Sequence, residues 1–200
     1  MLRIETRSGD ALRALLPELA QLRIEVFRDF PYLYDGTIEY EEEYLGHFLD
    51  APDHVAVCAI DGERIVGAAT ASPLIHQYDE FTAPFRQAGM DIAEIFYFGE
   101  SVLLPAYRGK GLGHAFFDGR EAHARPLGYE KTAFCAVIRP AGHPARPANY
   151  RPLDEFWKKR GYRPLEGLIA HFSWLDVGDA EESSKPMQYW GRGFGEVTAG

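Results

Sequence analysis

The run AYRGKGLGHAFF, Ala106 to Phe117, sets three glycines and two cations within the six residues Arg108 to Gly113. Before it, AEIFYFGESVLL reads as a strand that Pro105 ends, with Gly99 marking a bulge or a close backbone approach. After it, an apolar run with helical spacing extends to about Ala124. A fold that contains this stretch must join a strand end to a helix start. The first N–H groups of a helix lack intrahelical acceptors, and the helix dipole adds roughly half a positive charge there. Glycines permit positive φ and close approach of a ligand to the backbone. The result is an anion nest. Arg108 and Lys110 add full charges, so a doubly charged group such as pyrophosphate is the natural guest.

Two familiar phosphate loops do not fit. A nucleoside-triphosphate loop needs its lysine followed by Ser or Thr, whereas Gly111 follows Lys110. A dinucleotide loop needs G-x-G-x-x-G, whereas Gly109, Gly111 and Gly113 are spaced G-x-G-x-G. A glycine-rich turn without a ligand is the remaining alternative.

The rest of the chain reads as an α/β domain with a mixed, mostly antiparallel sheet flanked by helices, in the order β-α-α-β-β-β-α-β-α-β-β. LRIETRS is a short strand, and Leu19, Leu22, Arg23, Val26, Phe27 and Phe30 follow helical spacing. In TIEYEEEYLGHFLD, Ile38, Leu45, Phe48 and Leu49 line one helical face while Glu39 and Glu41 to Glu43 crowd the other. Asp61-Gly62 joins two β-rich runs as a hairpin. A short helix falls around Phe81 to Gln87, and another, LDEFWKKR, stops at Gly161. A proline-rich connector, RPAGHPARPANYRP, precedes it, and strand-like GLIAHFSWL and KPMQYWGR close the chain.

The net charge of −9 excludes a non-specific nucleic-acid binder and suits a cationic partner. No apolar run reaches the ~20 residues of a membrane span, and the N-terminal residues carry no signal-peptide core. Cys58 and Cys135 lie in apolar strands without metal-type spacing. The expectation is a cytoplasmic protein, residues 1–200 forming one domain, with no metal and no membrane or nucleic-acid partner.

ESVLLPAYRGKGLG resembles the acyl-CoA signature of the GNAT superfamily of N-acetyltransferases, [QR]-x-x-G-x-[GA] after a strand. Arg108, Gly111 and Gly113 fill it, and Pro105 and Tyr107 stand where that family commonly has them. FWKKRGYRP is similar to the family's short fourth helix and the strand entry after it. With the order of elements, the resemblance spans Leu2 to Trp190. It implies splayed strands forming an acyl-CoA cleft, acetyl-CoA as acyl donor, and a primary amine of a small molecule or peptide as acceptor. It further implies that backbone groups of Ser101, Val102 and Leu103 pair with the pantetheine arm. The N–H groups of Arg108, Gly109, Lys110, Gly111, Leu112 and Gly113 would then hold the pyrophosphate, with His114 adjoining. Asn149 resembles an asparagine near the pantetheine.

Within that resemblance Glu100 is the candidate base, with Tyr97 and Glu94 as fallbacks. Trp157 stands where many members have an acidic tyrosine. Tyr150, or more weakly His143, is then the candidate acid. Tyr32, Tyr34, Asp35 and Glu39, with Phe30 and Glu42, are candidates to receive a cationic amine by charge and ring-face attraction. Arg139, Arg146 and Arg151 are candidates for a carboxylate or the cofactor's 3′-phosphate. A catalytically degenerate acyl-CoA sensor and an empty partner-binding domain remain open as alternatives. The terminal strands would allow pairing across a homodimer.

Overall fold

The computed structural model describes residues 1–195. Its strands are β1 (Leu2–Arg7), β2 (Val55–Asp61), β3 (Arg64–Pro73), β4 (Ile95–Leu103), β5 (Lys131–Val137), β6 (Arg163–Trp174) and β7 (Ser183–Arg192). Its helices are α1 (Gly9–Arg13), α2 (Leu16–Phe27), α3 (Ile38–Asp50), α4 (Asp79–Gln87), α5 (Leu112–Ala124) and α6 (Asp154–Lys159). The strands form one sheet in the order β1-β2-β3-β4-β5-β7-β6. Neighbours are antiparallel except β4 and β5, which run parallel. The expected α/β architecture and element order hold, with α4 near its expected place and the five-residue α1 added before α2.

Local signals account for most boundaries. Pro17 sits in the first turn of α2, where its missing N–H costs nothing. Thr37 caps α3 by accepting from the Tyr40 N–H. The apolar stripe Leu19, Leu22, Leu45, Phe48 and Leu49 packs α2 and α3 onto one region of the sheet. Phe117, Phe134, Tyr162 and Trp190 form an aromatic core beside α5. Each such fully buried side chain contributes on the order of 1.5–3 kcal/mol. Both cysteines are free, and burial pushes their thiols up, to about 11 for Cys58 and about 12 for Cys135.

Two features of β4 matter most. It pairs with β5 only at Ile95, Phe96 and Tyr97. Beyond that, β4 stays on β3 while β5 stays on β7, so the two strands part. Secondly, Ala71 faces Phe98 and Ala69 faces Ser101, so Gly99 and Glu100 bulge opposite Thr70. A Cβ on Gly99 would stand 2.5 Å from Thr70 Oγ1, which explains the glycine there. The Glu100 N–H donates to that same oxygen, 3.3 Å away.

Candidate active site

The glycine loop leaves β4 through a turn at Pro105–Tyr107 and enters α5. Tyr107 donates to Asp61 Oδ2 at 3.0 Å, tying the turn to the end of β2. Gly109 and Gly111 have φ of 77° and 81°, and an added Cβ at either meets nothing within 4 Å. Among the described residues, no acceptor takes the N–H groups of Gly109 through Gly113. These five donors sit beside the exposed Arg108 and Lys110 at the N-terminus of α5. Open backbone, unpaired N–H groups and two cations fit a pyrophosphate. Arg108 meanwhile donates to the Leu103 carbonyl at 3.3 Å and lies 3.8 Å from Asp29.

Next to this loop, Ser101, Val102 and Leu103 occupy the stretch of β4 that has parted from β5. Arg120 of α5 secures the bulge just before them. It is 1% exposed and donates to the carbonyls of Thr70 and Glu100, both at 3.3 Å, and to Ser101 Oγ at 2.9 Å. Burial lowers its pKa to about 10.

The bulge also turns Glu100 into a cavity of about 740 Å³ between α2, α3, α4 and the β6–β7 hairpin. Glu100 is 9% exposed, and Arg23 Nη1 lies 2.6 Å from its Oε2. Arg23 Nε donates to Glu41 Oε2, and its guanidinium lies over the rings of Tyr44 and Phe27, at 4.5 and 5.1 Å. Burial alone would lower the Arg23 pKa, but Glu100 and Glu41 hold it above the usual value. Two carboxylates thus share one guanidinium, leaving one negative charge in excess. Glu41 is 0% exposed and its Oε1 has no hydrogen-bond partner. Burial first, then the Glu41 charge, raises the Tyr34 phenol, which lies beside it.

The candidate acceptor residues are held by long-range ties. Arg139 donates to the carbonyls of Pro31 and Tyr32, at 2.8 and 2.7 Å, and to both oxygens of Asp176. Asp35 N–H donates to Leu175 and Val177 N–H to Leu33. These bonds fix Tyr32, Tyr34 and Asp35 in the cavity wall. Asp35 pairs with Arg28 at 2.5 Å.

Several expectations need correcting. Glu41 is not on a solvated face: α3 turns it inward to meet Arg23, whereas Glu39 and Glu42 are exposed and outside the cavity lining. Arg139 is no free anion reader, since its side chain is 8% exposed and Asp176 neutralises it. Arg146 stacks on Tyr150, at 5.0 Å. Tyr150 meets Phe30 edge-on at 4.7 Å, and His143 also packs on Phe30, at 5.8 Å. Neither lines the cavity. Trp157 packs against Phe134 and Trp190 in the core. Tyr97 lines the cavity, but its hydroxyl is 3.1 Å from Cys135 Sγ and burial raises its pKa well above normal. Glu94 pairs with Lys131 at the surface. His114 is 3.2 Å from Arg160, and Asn149 is exposed on the connector.

Sequence reading missed Arg23 and Glu41 as site residues, and all of the β6 wall, including Trp174 and Phe172. Arg23 did carry a signal, a cation in the middle of an apolar helical stripe. The β6 residues carried none, because over 130 residues of chain separate them from Tyr32.

Comparison with known proteins bears on this geometry. An acetyltransferase (GNAT) family model matches residues 17–162. No curated protein matches the chain significantly in sequence. An aminoglycoside 6′-N-acetyltransferase complexed with coenzyme A is similar in structure, with TM-score 0.59, 16% identity, and coverage of 94% of this chain and 96% of that one. A GCN5-related N-acetyltransferase from Kribbella flavida superposes with TM-score 0.56 and 14% identity, covering 96% of each chain. A ribosomal-protein-alanine N-acetyltransferase from Brucella melitensis gives TM-score 0.58 and 12% identity, covering 94% of this chain and 98% of that one. At these identities the likeness speaks for the fold, and the family match, which runs through the parted strands and the glycine loop, settles the rest: the chain belongs to the GNAT family of acetyltransferases.

Proposed function

We propose that the protein is an acetyl-CoA-dependent N-acetyltransferase that acetylates a primary amine bound in the aromatic, acidic cavity. One observation carries this reading: a single strand serves both partners. The β4 bulge turns Glu100 into the cavity, while the next residues, Ser101 to Leu103, form the edge that has parted from β5.

Bound acetyl-CoA supplies an acetyl thioester activated toward amines. The N–H groups of Gly109 to Gly113, with Arg108 and Lys110, hold its pyrophosphate. The outward backbone edge of Ser101 to Leu103 aligns its pantetheine, and the Leu103 N–H, which alternation along β4 turns away from β3, polarises the thioester oxygen. The amine arrives as an ammonium, drawn by the excess charge on Glu41 and Glu100. Freeing a typical alkylamine of its proton at pH 7 costs about 4–5 kcal/mol, at ~1.36 kcal/mol per pKa unit. Glu100 takes that proton, directly or through one water, while Arg23 fixes the carboxylate. As nitrogen bonds the carbonyl carbon, the carbon–sulfur bond breaks, the sulfur leaves as thiolate, and the proton that the new amide nitrogen sheds converts it to the thiol. A thiol of pKa near ~8.5 leaves tolerably as thiolate. An acid at the Trp157 position is therefore unnecessary, and Tyr150 is assigned to packing the connector against Phe30.

The test is acetyl-CoA calorimetry on wild type, Arg108→Glu and Gly111→Val, followed by thiol release with an amine panel. Gly111 holds φ 81°, so a β-branched residue strains the loop as well as filling the nest. Micromolar binding lost in both variants supports the site. Glu100→Gln should retain binding and lose about 10²-fold or more in turnover. Absence of wild-type binding would overturn the reading, and binding without turnover of any amine would favour the sensor alternative.

A further inference from the structure

The floor of the acceptor cavity, Glu41 and Glu100 sharing Arg23, is only the inner of two acidic levels. Glu43 of α3, Glu80 in the first turn of α4 and Glu182 just before β7 also line the cavity, and all three are exposed. They come from separate elements, and none forms an ion pair among the described residues. With Asp35, which pairs with Arg28 outside the lining, the lining holds six carboxylates and one guanidinium. The same lining carries rings, among them Tyr34, Tyr44 and Trp174, with Tyr40 and Tyr78 exposed.

The phenols register that the acidic groups converge. Burial and then Glu43 and Glu80 raise the Tyr78 hydroxyl. Burial, then Glu41, raises the Tyr40 hydroxyl, with Glu182 also contributing. The inner level has its own open valence, because Glu41 Oε1 is buried and lacks a partner. An unpaired buried carboxylate oxygen is costly, and an ammonium reaching it would relieve that cost.

A pattern of anion, apolar ring wall and anion is complementary to cation, aliphatic chain and cation. We infer that the acceptor is a linear amine carrying at least two ammonium groups separated by methylenes, a diamine or polyamine. The inner ammonium sits at Glu41 and Glu100 and gives the reacting nitrogen. The outer one rests among Glu43, Glu80 and Glu182, and the chain between packs on the rings. The same field disfavours acceptors that carry a carboxylate beside the amine.

This inference rests on the acetyltransferase reading, and its test separates the two. Thiol release with acetyl-CoA is measured for 1,5-diaminopentane, 1-aminopentane and Nα-acetyl-lysine amide, and binding of 1,5-diaminopentane to the CoA-saturated protein is followed by calorimetry. The diamine should exceed the monoamine at least tenfold in kcat/KM, and the margin should shrink with added salt. Glu80→Gln with Glu182→Gln should raise the diamine KM about tenfold. The charge-matched pair Glu18→Gln with Glu63→Gln, exposed and outside the cavity, should leave it unmoved. Equal use of monoamine and diamine, or preference for the lysine amide, overturns the dication inference and leaves acetyl transfer standing. Calorimetric binding of the diamine without turnover supports the dication site and overturns acetyl transfer. Neither binding nor turnover overturns both.

Discussion

Arg23 has the most consequential environment of any single residue here. Its guanidinium is buried between two aromatic rings and two carboxylates from different elements. Removing one partner of a buried ion pair leaves a charge without compensation, which typically costs about 3–5 kcal/mol. Arg23→Ala should therefore lower the urea midpoint sharply with an unchanged slope, since the two carboxylates then repel across a buried space. An unchanged midpoint would mean that water already screens the cluster. At this scale the sequence was informative about chemistry and silent about pairing. Glu41 is one of three consecutive glutamates, and only the rotation of α3 against α2 decides which of them turns inward.

Among elements, the β4 bulge links stability to the site. Arg120 holds it from α5 by donating to two carbonyls, one on each strand of the β3–β4 pair. Arg120→Met keeps the volume and the contact with Phe98 but orphans the Thr70 and Glu100 carbonyls. At about 1–3 kcal/mol for each of the two orphaned buried groups, the variant should lose roughly 2–6 kcal/mol in denaturant unfolding. Amide exchange at Gly99 to Ser101 should quicken along with it; if it stays slow, Thr70 alone holds the bulge. Most elements were legible because each has a local cause: Asp61-Gly62 for the hairpin, Gly111 for the start of α5, Gly161 after α6. Gly99 announced an irregularity in the strand as well. That the irregularity would present Glu100 to a cavity depended on Thr70 and Arg120, which are 30 and 20 residues away.

For the molecule as a whole, the clamp Asp176–Arg139–Lys185 joins the acceptor loop, the exit of β5 and the β6–β7 hairpin. Lys185 Nζ lies 3.1 Å and Arg139 Nη1 2.7 Å from the Asp176 carboxylate. Burial would raise the Asp176 pKa, but hydrogen bonds from Arg139 and Lys185 outweigh it and hold the carboxyl below its usual range. The unfolded chain consequently takes up this proton first as pH falls. The stabilisation is present above the unfolded carboxylate pKa of ~3.9 and is lost as pH falls toward the lower folded value. Asp176→Asn should be less stable at pH 7 yet lose less stability between pH 5 and pH 3 than wild type. Parallel acid limbs for the two proteins would count against this clamp.

The sequence by itself determined the nest and most of the framework around it. Phosphate-binding geometry at a strand–helix junction is local, so the glycines at 109, 111 and 113 and the two cations specify it within a few residues of one another. Periodicity fixed the helices and strands for the same reason. The acceptor cavity had to wait for tertiary structure. Its wall draws on α2, α3, α4, the bulge of β4 and the β6–β7 hairpin, and its charge balance depends on which acids find a cation after packing. Such pairings are set by the distances that the folded chain imposes, and sequence spacing does not record them.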